Sequence, residues 1–296
     1  MGRTRQVVTT TLAAMGVVAS LAACTAAPSA AKGTPPERSA RASTTPTASA
    51  GPLPLPAESP APPPAVVVLD PGHNGWNASA PEVINQQVPA GGFTKPCNTT
   101  GTATDAGYPE HAFTFDVAVR TAELLRAEGV TVVLTRTDDS GVGPCVDVRA
   151  AVANDAGADL AVSIHADGAA AGARGFHVIE PALAPDGGNA GILAASQEAA
   201  SDLRTAFGAA TTQAPATYPG GLVEPGLTRR DDLAGLNLAR VPAVFIECAN
   251  MRDPEDASVM TDPGWRQRAA QGIADGVLTF LTRPTGPTGV PHLPSR

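Results

Sequence analysis

Ala158-Asp159-Leu160-Ala161-Val162-Ser163-Ile164-His165 is a short, largely apolar run that ends on an imidazole. Such a run suits a strand covered on both faces, and it leaves His165 where the chain would exit a sheet. Two other runs end in the same manner. Residues 65–69, with three consecutive valines, lead into Asp70-Pro71-Gly72-His73, and Val244-Phe245-Ile246 leads into Glu247. Open α/β sheets bind ligands beyond the carboxyl ends of their strands, so polar residues at three such ends point to one shared site. Two histidines with carboxylates make a donor set suited to zinc.

Outward from these runs the periodicity alternates. Pro109 fits a first helical turn, and Phe113, Val117, Thr121 and Leu124 follow near helical spacing until Gly129 stops the helix. Residues 130–134 read as a strand, 146–154 as a helix, 174–179 as a weaker strand and 189–207 as an Ala-rich helix. Residues 211–226 are a Gly- and Pro-interrupted loop, and 264–281 form a closing helix with Ile273, Val277 and Leu281 on one stripe. Strands alternating with helices predict an α/β domain with a mostly parallel sheet and helices on both faces. A long Gly-, Asn- and Thr-rich segment, 74–107, interrupts the pattern, and loops of that length are usually functional or mobile.

The chain ends imply export. Arg3 and Arg5 precede an apolar stretch that reaches Leu21-Ala22-Ala23-Cys24, the form of a signal peptide over 1–23. Its ending resembles a bacterial lipoprotein box, so an acylated Cys24 is expected to anchor the chain to the outer face of a membrane, facing the cell wall. Ordinary cleavage a few residues away, or an uncleaved helix too short to span a membrane comfortably, is the other reading. Residues 24–64 shift to Ala, Pro, Ser and Thr and read as a disordered tether, and 284–296 as a flexible tail. The remainder, 65–283, suits a single domain. A net charge of −8 without a basic stripe argues against nucleic acid, and a monomer is expected.

Four cysteines are present, and with Cys24 assigned to lipid three remain. Cys97 and Cys145 lie in Gly-, Pro- and Thr-rich loops and are expected to form a disulfide in an oxidising compartment. Cys248 sits within an apolar strand and reads as an inert buried thiol.

For a catalytic zinc, His73 and His165 supply two ligands and a third protein ligand is needed. Glu110 and His111 compete for that place. Glu110 shares the core-facing stripe with Phe113 and Val117, whereas His111 lies about 100° further round the helix. An acid in a first helical turn also has an ordinary explanation in the helix dipole. Glu247 is the candidate general base, since a carboxylate ending an apolar strand is costly without a partner. The alternative is an ion pair with Arg230, Arg240 or Arg252. Asp70 and Asp167 flank the histidines, either orienting imidazoles or forming turns. Arg149 and Asn154 read as a salt bridge or cap on one helix, His177 as a structural or surface histidine, and His292 belongs to the tail.

In order along the chain, these residues resemble the zinc-dependent N-acetylmuramoyl-L-alanine amidases of the amidase-3 family. Val68-Leu69-Asp70-Pro71-Gly72-His73 is similar to the family's opening strand and first ligand. Glu110, with the helix after it and Val133-Leu134-Thr135-Arg136, is similar to its second ligand and following strand. Arg149, Ala153-Asn154 and Ser163-Ile164-His165-Ala166 are similar to the segment of the third ligand, and 242–247 with Asn250 and Asp253 to the catalytic-glutamate region. The resemblance covers 65–281. It implies a six-stranded sheet, one zinc, and hydrolysis of the amide between the lactyl group of N-acetylmuramic acid and L-alanine.

Two departures bear on the rim of the site. Asp167 stands where many relatives have asparagine, and Cys248-Ala249 replaces a small-residue and aromatic pattern. The cysteine pair together with Glu247-Cys248 is more similar to actinobacterial members than to division amidases. Two other functions use the same residues. One is a non-catalytic lipoprotein that binds peptidoglycan, and the other is a zinc peptidase acting within the stem peptide.

Overall fold

The computed structural model describes residues 63–283. The signal peptide, Cys24, nearly all of the tether, the 284–296 tail and His292 lie outside the described residues. The chain runs through β1 (Val66–Pro71), a short helix α1 (Pro81–Ile84), β2 (Gln87–Pro89) and β3 (Thr94–Pro96). It continues with α2 (Glu110–Ala127), β4 (Thr131–Leu134), α3 (Val146–Asp155), β5 (Leu160–Asp167), β6 (His177–Pro181) and α4 (Leu193–Thr211). The remaining elements are β7 (Leu222–Glu224), β8 (Leu227–Arg230), α5 (Ala234–Asn237), β9 (Ala243–Asn250), α6 (Pro254–Thr261) and α7 (Pro263–Leu281).

The main sheet has the order β4-β1-β5-β9-β6-β8-β7. Strands β4, β1, β5 and β9 are mutually parallel, as is the pair β6 and β8, while β6 meets β9 and β7 meets β8 antiparallel. The sheet thus has seven strands where the resemblance implied six. The seventh, β7, is a three-residue exposed edge strand inside the segment expected to be a loop. Gly226, at φ +77°, turns the chain so that 222–224 folds back on β8, a backbone conformation that glycine takes without steric cost.

Alternation along each strand sorts side chains onto two faces. Val67, Leu69, Val162, Ile164, Val244 and Ile246 pack with α2, α4 and α7 in the main core. Val68, Ala161, Ala243 and Phe245 turn to the opposite face, covered by α3 and α5. Asp70, Ser163, His165 and Glu247 continue this second set towards the carboxyl edge. The central strands read as continuous apolar runs because both faces are covered. On the first face, α2 begins directly at the carboxyl edge of the sheet, which carries Glu110 to the strand ends.

The segment 74–107 contains α1 and the β2–β3 hairpin and is therefore not the irregular loop the composition implied. Its order comes from specific ties. Cys97 and Cys145 form a disulfide, Asn98 Nδ2 donates to the Pro144 carbonyl at 2.7 Å, and Asn77 Nδ2 donates to the Thr99 carbonyl at 2.8 Å. Cys145 immediately precedes α3, so the bond holds the end of the hairpin against the start of that helix. Cys248 is a buried free thiol, and burial pushes its pKa well up.

Replacing both Cys97 and Cys145 by serine is expected to lower unfolding free energy by about 4 kcal/mol, the chain-entropy value for a loop of this length. Denaturant titration of the paired variants checks this, and an unchanged midpoint would count against the disulfide as the main tie of the segment.

Candidate metal centre and active site

Three elements deliver the site. His73 follows β1, Glu110 is the first residue of α2, and His165 lies near the end of β5. One nitrogen from each imidazole and one carboxylate oxygen all lie within 4.8 Å of one another. His73 Nε2 and His165 Nδ1 both stand 3.0 Å from Glu110 Oε1. The two rings meet edge to face, with centroids 5.0 Å apart, and Phe245 stacks on His165 at 5.4 Å.

Each member is held by a further contact. His73 Nδ1 donates to the Thr99 carbonyl at 3.1 Å, which leaves Nε2 with its lone pair towards the cluster. Glu110 Oε2 accepts from the Thr102 amide at 2.9 Å, and Oε1 accepts from the Ala166 amide at 3.1 Å. Burial pushes the Glu110 carboxyl up, but the facing His73 and His165 outweigh it and hold it well below the carboxylate range. His73 is itself strained, with φ at +60°, a region uncommon for residues with a side chain.

The surroundings are tightly built. A Cβ added at Gly72 would lie 2.2 Å from His165 Cε1, and one at Gly101 would lie 3.0 Å from both Glu110 Oε2 and the His73 ring. Glycine is required at these two places because the backbone passes within contact distance of the imidazoles.

Glu247 is the Cα partner of His165 across β5 and β9, so its carboxylate enters the same cleft. Its Oε2 is buried with no hydrogen-bond partner among the described residues. Burial first, then the charges of Glu110 and Asp167, pushes its pKa well up. None of the arginines considered as its partners pairs with it among the described residues. Arg230 pairs with Asp232 and Arg252 with Asp105, while Arg240 forms no ion pair among the described residues.

The remaining candidates from the sequence have partners of their own. His111 donates through Nδ1 to Asp139 Oδ2 at 2.7 Å and stands outside the cluster. His177 is buried, bridging Thr228 Oγ1 and Asp167 Oδ2, which agrees with a structural histidine. Asp70 touches neither imidazole, because its carboxylate is taken by Arg149 at 2.6 Å, Thr135 at 2.5 Å and Ser163 at 2.6 Å. Asp167 likewise orients His177 and not His165, and accepts from Tyr218 at 2.9 Å. The contributions of Thr99, Thr102 and Tyr218 had no signal in the sequence, since they come from segments without periodicity.

The cleft that joins these groups has a volume of about 510 Å³ and is walled by β1, β5, β9, the hairpin end and α3. Two imidazoles and the Glu110 carboxylate at the carboxyl edge of the sheet form a group that could hold a metal ion, with the unpaired Glu247 carboxylate in the same cleft. The chain belongs to the Amidase_3 family, whose model, described as N-acetylmuramoyl-L-alanine amidase, matches residues 67–279. It is 42% identical over 217 residues to an N-acetylmuramoyl-L-alanine amidase of Mycobacterium tuberculosis, covering 73% of this chain and 86% of that protein. Among solved structures it is similar to the amidase Ami1 of Mycobacterium smegmatis, with 45% identity and a TM-score of 0.68 over 74% of this chain and 97% of that one. Ami1 of Mycobacterium abscessus, in its apo form, gives 43% and 0.67 over 74% and 100%. The mycobacterial relatives agree with the expected actinobacterial character.

Burial pushes the Asp70 carboxyl up, but the Arg149 charge, aided by Ser163 and Thr135, brings it from 3.8 down to about 2. A carboxyl lowered in the folded state contributes stability that is full above its unfolded value and is lost as pH falls through the folded one. The contribution is about 2 kcal/mol. In Asp70→Asn this component is absent, so the stability gap to the wild type is expected to shrink by about that amount between about pH 5 and about pH 2. A gap that stays constant over this window in urea titrations would show that the ion pair does not set the acid limb.

Proposed function

We propose that this chain is a zinc-dependent hydrolase that cleaves the amide between the lactyl group of N-acetylmuramic acid and L-alanine, in peptidoglycan or its fragments. In this reading His73, Glu110 and His165 hold the metal and Glu247 is the general base. The observation that carries it is an unpartnered, buried carboxylate oxygen of Glu247 facing a cluster of one carboxylate and two imidazoles.

The donor set supports zinc. Tetrahedral zinc with nitrogen and oxygen ligands places its donors about 3.4 Å apart, and the two imidazole nitrogens already lie 3.0 Å from Glu110 Oε1. Three protein ligands leave one position open, which distinguishes a catalytic site from a structural one. When bound, zinc supplies a water acidified towards neutrality and an electrophile for the carbonyl.

The remaining work belongs to the chain. The Thr99 carbonyl fixes the His73 tautomer, and the Thr102 and Ala166 amides fix the Glu110 carboxylate, so two of the three donors are oriented by the chain itself. Glu247 takes a proton from the attacking water and returns it to the leaving amine of L-alanine. We further infer that the mature chain is exported and anchored through a lipid on Cys24, with the Pro-rich tether giving the domain reach into the wall.

Digests of purified muropeptides should yield free L-alanine amino termini and peptide-free glycan by mass spectrometry. Chelation should abolish this activity and added zinc restore it, while Glu247→Gln should lower kcat by about 10²- to 10⁴-fold. Cleavage inside the stem peptide would replace the amidase reading with a peptidase one. Gly72→Ala should lose zinc stoichiometry while keeping its circular dichroism spectrum, because the added methyl displaces the His165 ring. For Cys24, mass spectrometry of the mature N-terminus should find a diacylated or triacylated cysteine, and an unmodified neighbouring residue there would remove the anchor.

A further inference from the structure

The chain contains two lysines, Lys32 and Lys95, and Lys95 lies in the wall of the catalytic cleft. Every other described Lys/Arg position is an arginine. Only two such cations, Lys95 and Arg149, contribute to that wall, against the carboxylates of Asp70, Glu110, Asp167 and Glu247. Arg149 is fully engaged, since its guanidinium bonds Asp70 and the carbonyls of Pro71, His73, Gly143 and Pro144.

Lys95 is not engaged in that way. Its Nζ donates once, to the Asp232 carbonyl at 2.9 Å, leaving two N–H donors. The Asp232 carboxylate, which would otherwise neutralise it, is gripped by Arg230 through two bonds of 2.7 and 2.6 Å. Half-buried in an otherwise acidic wall, Lys95 is an ammonium without a carboxylate of its own. Burial, opposed by the Asp232 charge, lowers its pKa, which is the response of a cation short of counter-charge. The residue sits on β3, two positions before Cys97, so the disulfide sets where its backbone stands.

We propose that Lys95 binds a carboxylate on the peptide side of the substrate, the α-carboxylate of the second stem residue, and thereby selects stems in which that group is not amidated. The assignment rests on the amidase reading and deepens it. Chemistry fixes the side. The one carboxyl of muramic acid is consumed in the amide that is cut, so the N-acetylmuramic acid moiety keeps no carboxylate of its own. The peptide side offers one immediately beyond L-alanine, where the second residue continues through its γ-carboxyl and leaves the α-carboxyl free or converted to an amide. A charge-assisted bond to a carboxylate is stronger than one to a carboxamide, and a lysine presents a single mobile charge on a flexible stem.

The test uses the mature zinc-loaded chain and two muramyl dipeptides that differ only in an α-carboxylate or α-carboxamide at the second residue. Wild type is expected to show the lower KM for the carboxylate. In Lys95→Met, KM for the carboxylate substrate should rise about tenfold more than KM for the carboxamide, with kcat affected little, and Lys95→Arg should restore most of the difference. Raising salt should narrow the preference in wild type and in Lys95→Arg and leave Lys95→Met unchanged. Equal loss on both substrates in Lys95→Met, with a lowered melting temperature, would show instead that the Asp232 tie is structural and would overturn the assignment. Absence of any preference in wild type would overturn it as well. Failure of zinc-loaded wild type to cleave either compound would overturn the amidase reading itself, an outcome distinct from cleavage without discrimination.

Discussion

Five hydrogen bonds from one buried guanidinium hold the carboxyl edge of this domain together. Arg149 on α3 uses each of its N–H groups, on the Asp70 carboxylate and on four carbonyls of the turn after β1 and the turn before α3. Those carbonyls include that of His73, the residue with φ +60°. A non-glycine residue in that region persists only where its neighbours over-determine it. The planar fork of arginine is suited to this in a way an ammonium is not. Asp70 neutralises the charge and is itself saturated by Thr135 and Ser163. Removing one partner would leave the other charged and buried, which is the costly case for an interior ion pair. The pair is thus a positioning device whose product is the location of one imidazole.

The parallel sheet supplies the other half of that geometry. Because β1, β5 and β9 run the same way with fixed register, Asp70 sits opposite Ser163, and His165 opposite Glu247. Apolar alternation keeps each of these side chains on the α3 and α5 face. Glu110 arrives from the other layer, at the first turn of α2, where its dipole-favoured position and its place in the cluster coincide. The ordinary explanation for that glutamate and the functional one are therefore not rivals. The position is electrostatically comfortable, and Thr102 and Ala166 turn comfort into a fixed orientation.

What could be read from the sequence follows the same division. The strand ends at His73, His165 and Glu247 were legible because a continuous apolar run closing on a polar residue has few other meanings in an α/β chain. Helices α2, α4 and α7 were legible through periodicity. The hairpin β2–β3 and the strands β7 and β8 were not, since, unlike the valine-rich β4, these short strands carry no apolar run and lie in or beside Gly- and Pro-rich segments. Helix α6 carried a readable signal that periodicity alone passed over. Asp253-Pro254 caps it just as Asp262-Pro263 caps α7, each aspartate accepting two backbone amides of the first turn. The sequence left Asp70 and Asp167 between orienting an imidazole and forming a turn, because their partners come from other elements: Arg149, Thr135 and Ser163 for the first, His177 and Tyr218 for the second.

Residues 74–107 show how a wall can be firm without contributing much to the core. This segment buries few large apolar side chains, Ile84 among them, and its conformation is set by asparagine amides bonded to backbone, by the disulfide, and by the backbone bonds of a hairpin of two three-residue strands. Polar and covalent ties of this kind specify position sharply, whereas hydrophobic contact is non-directional. That distinction matters because the same segment carries Thr99 and Thr102, which orient His73 and Glu110, and Lys95, which stands over the cleft. The Cys97–Cys145 disulfide closes this segment onto the start of α3, so one covalent bond lies beside the site's orienting carbonyl, amide and ammonium.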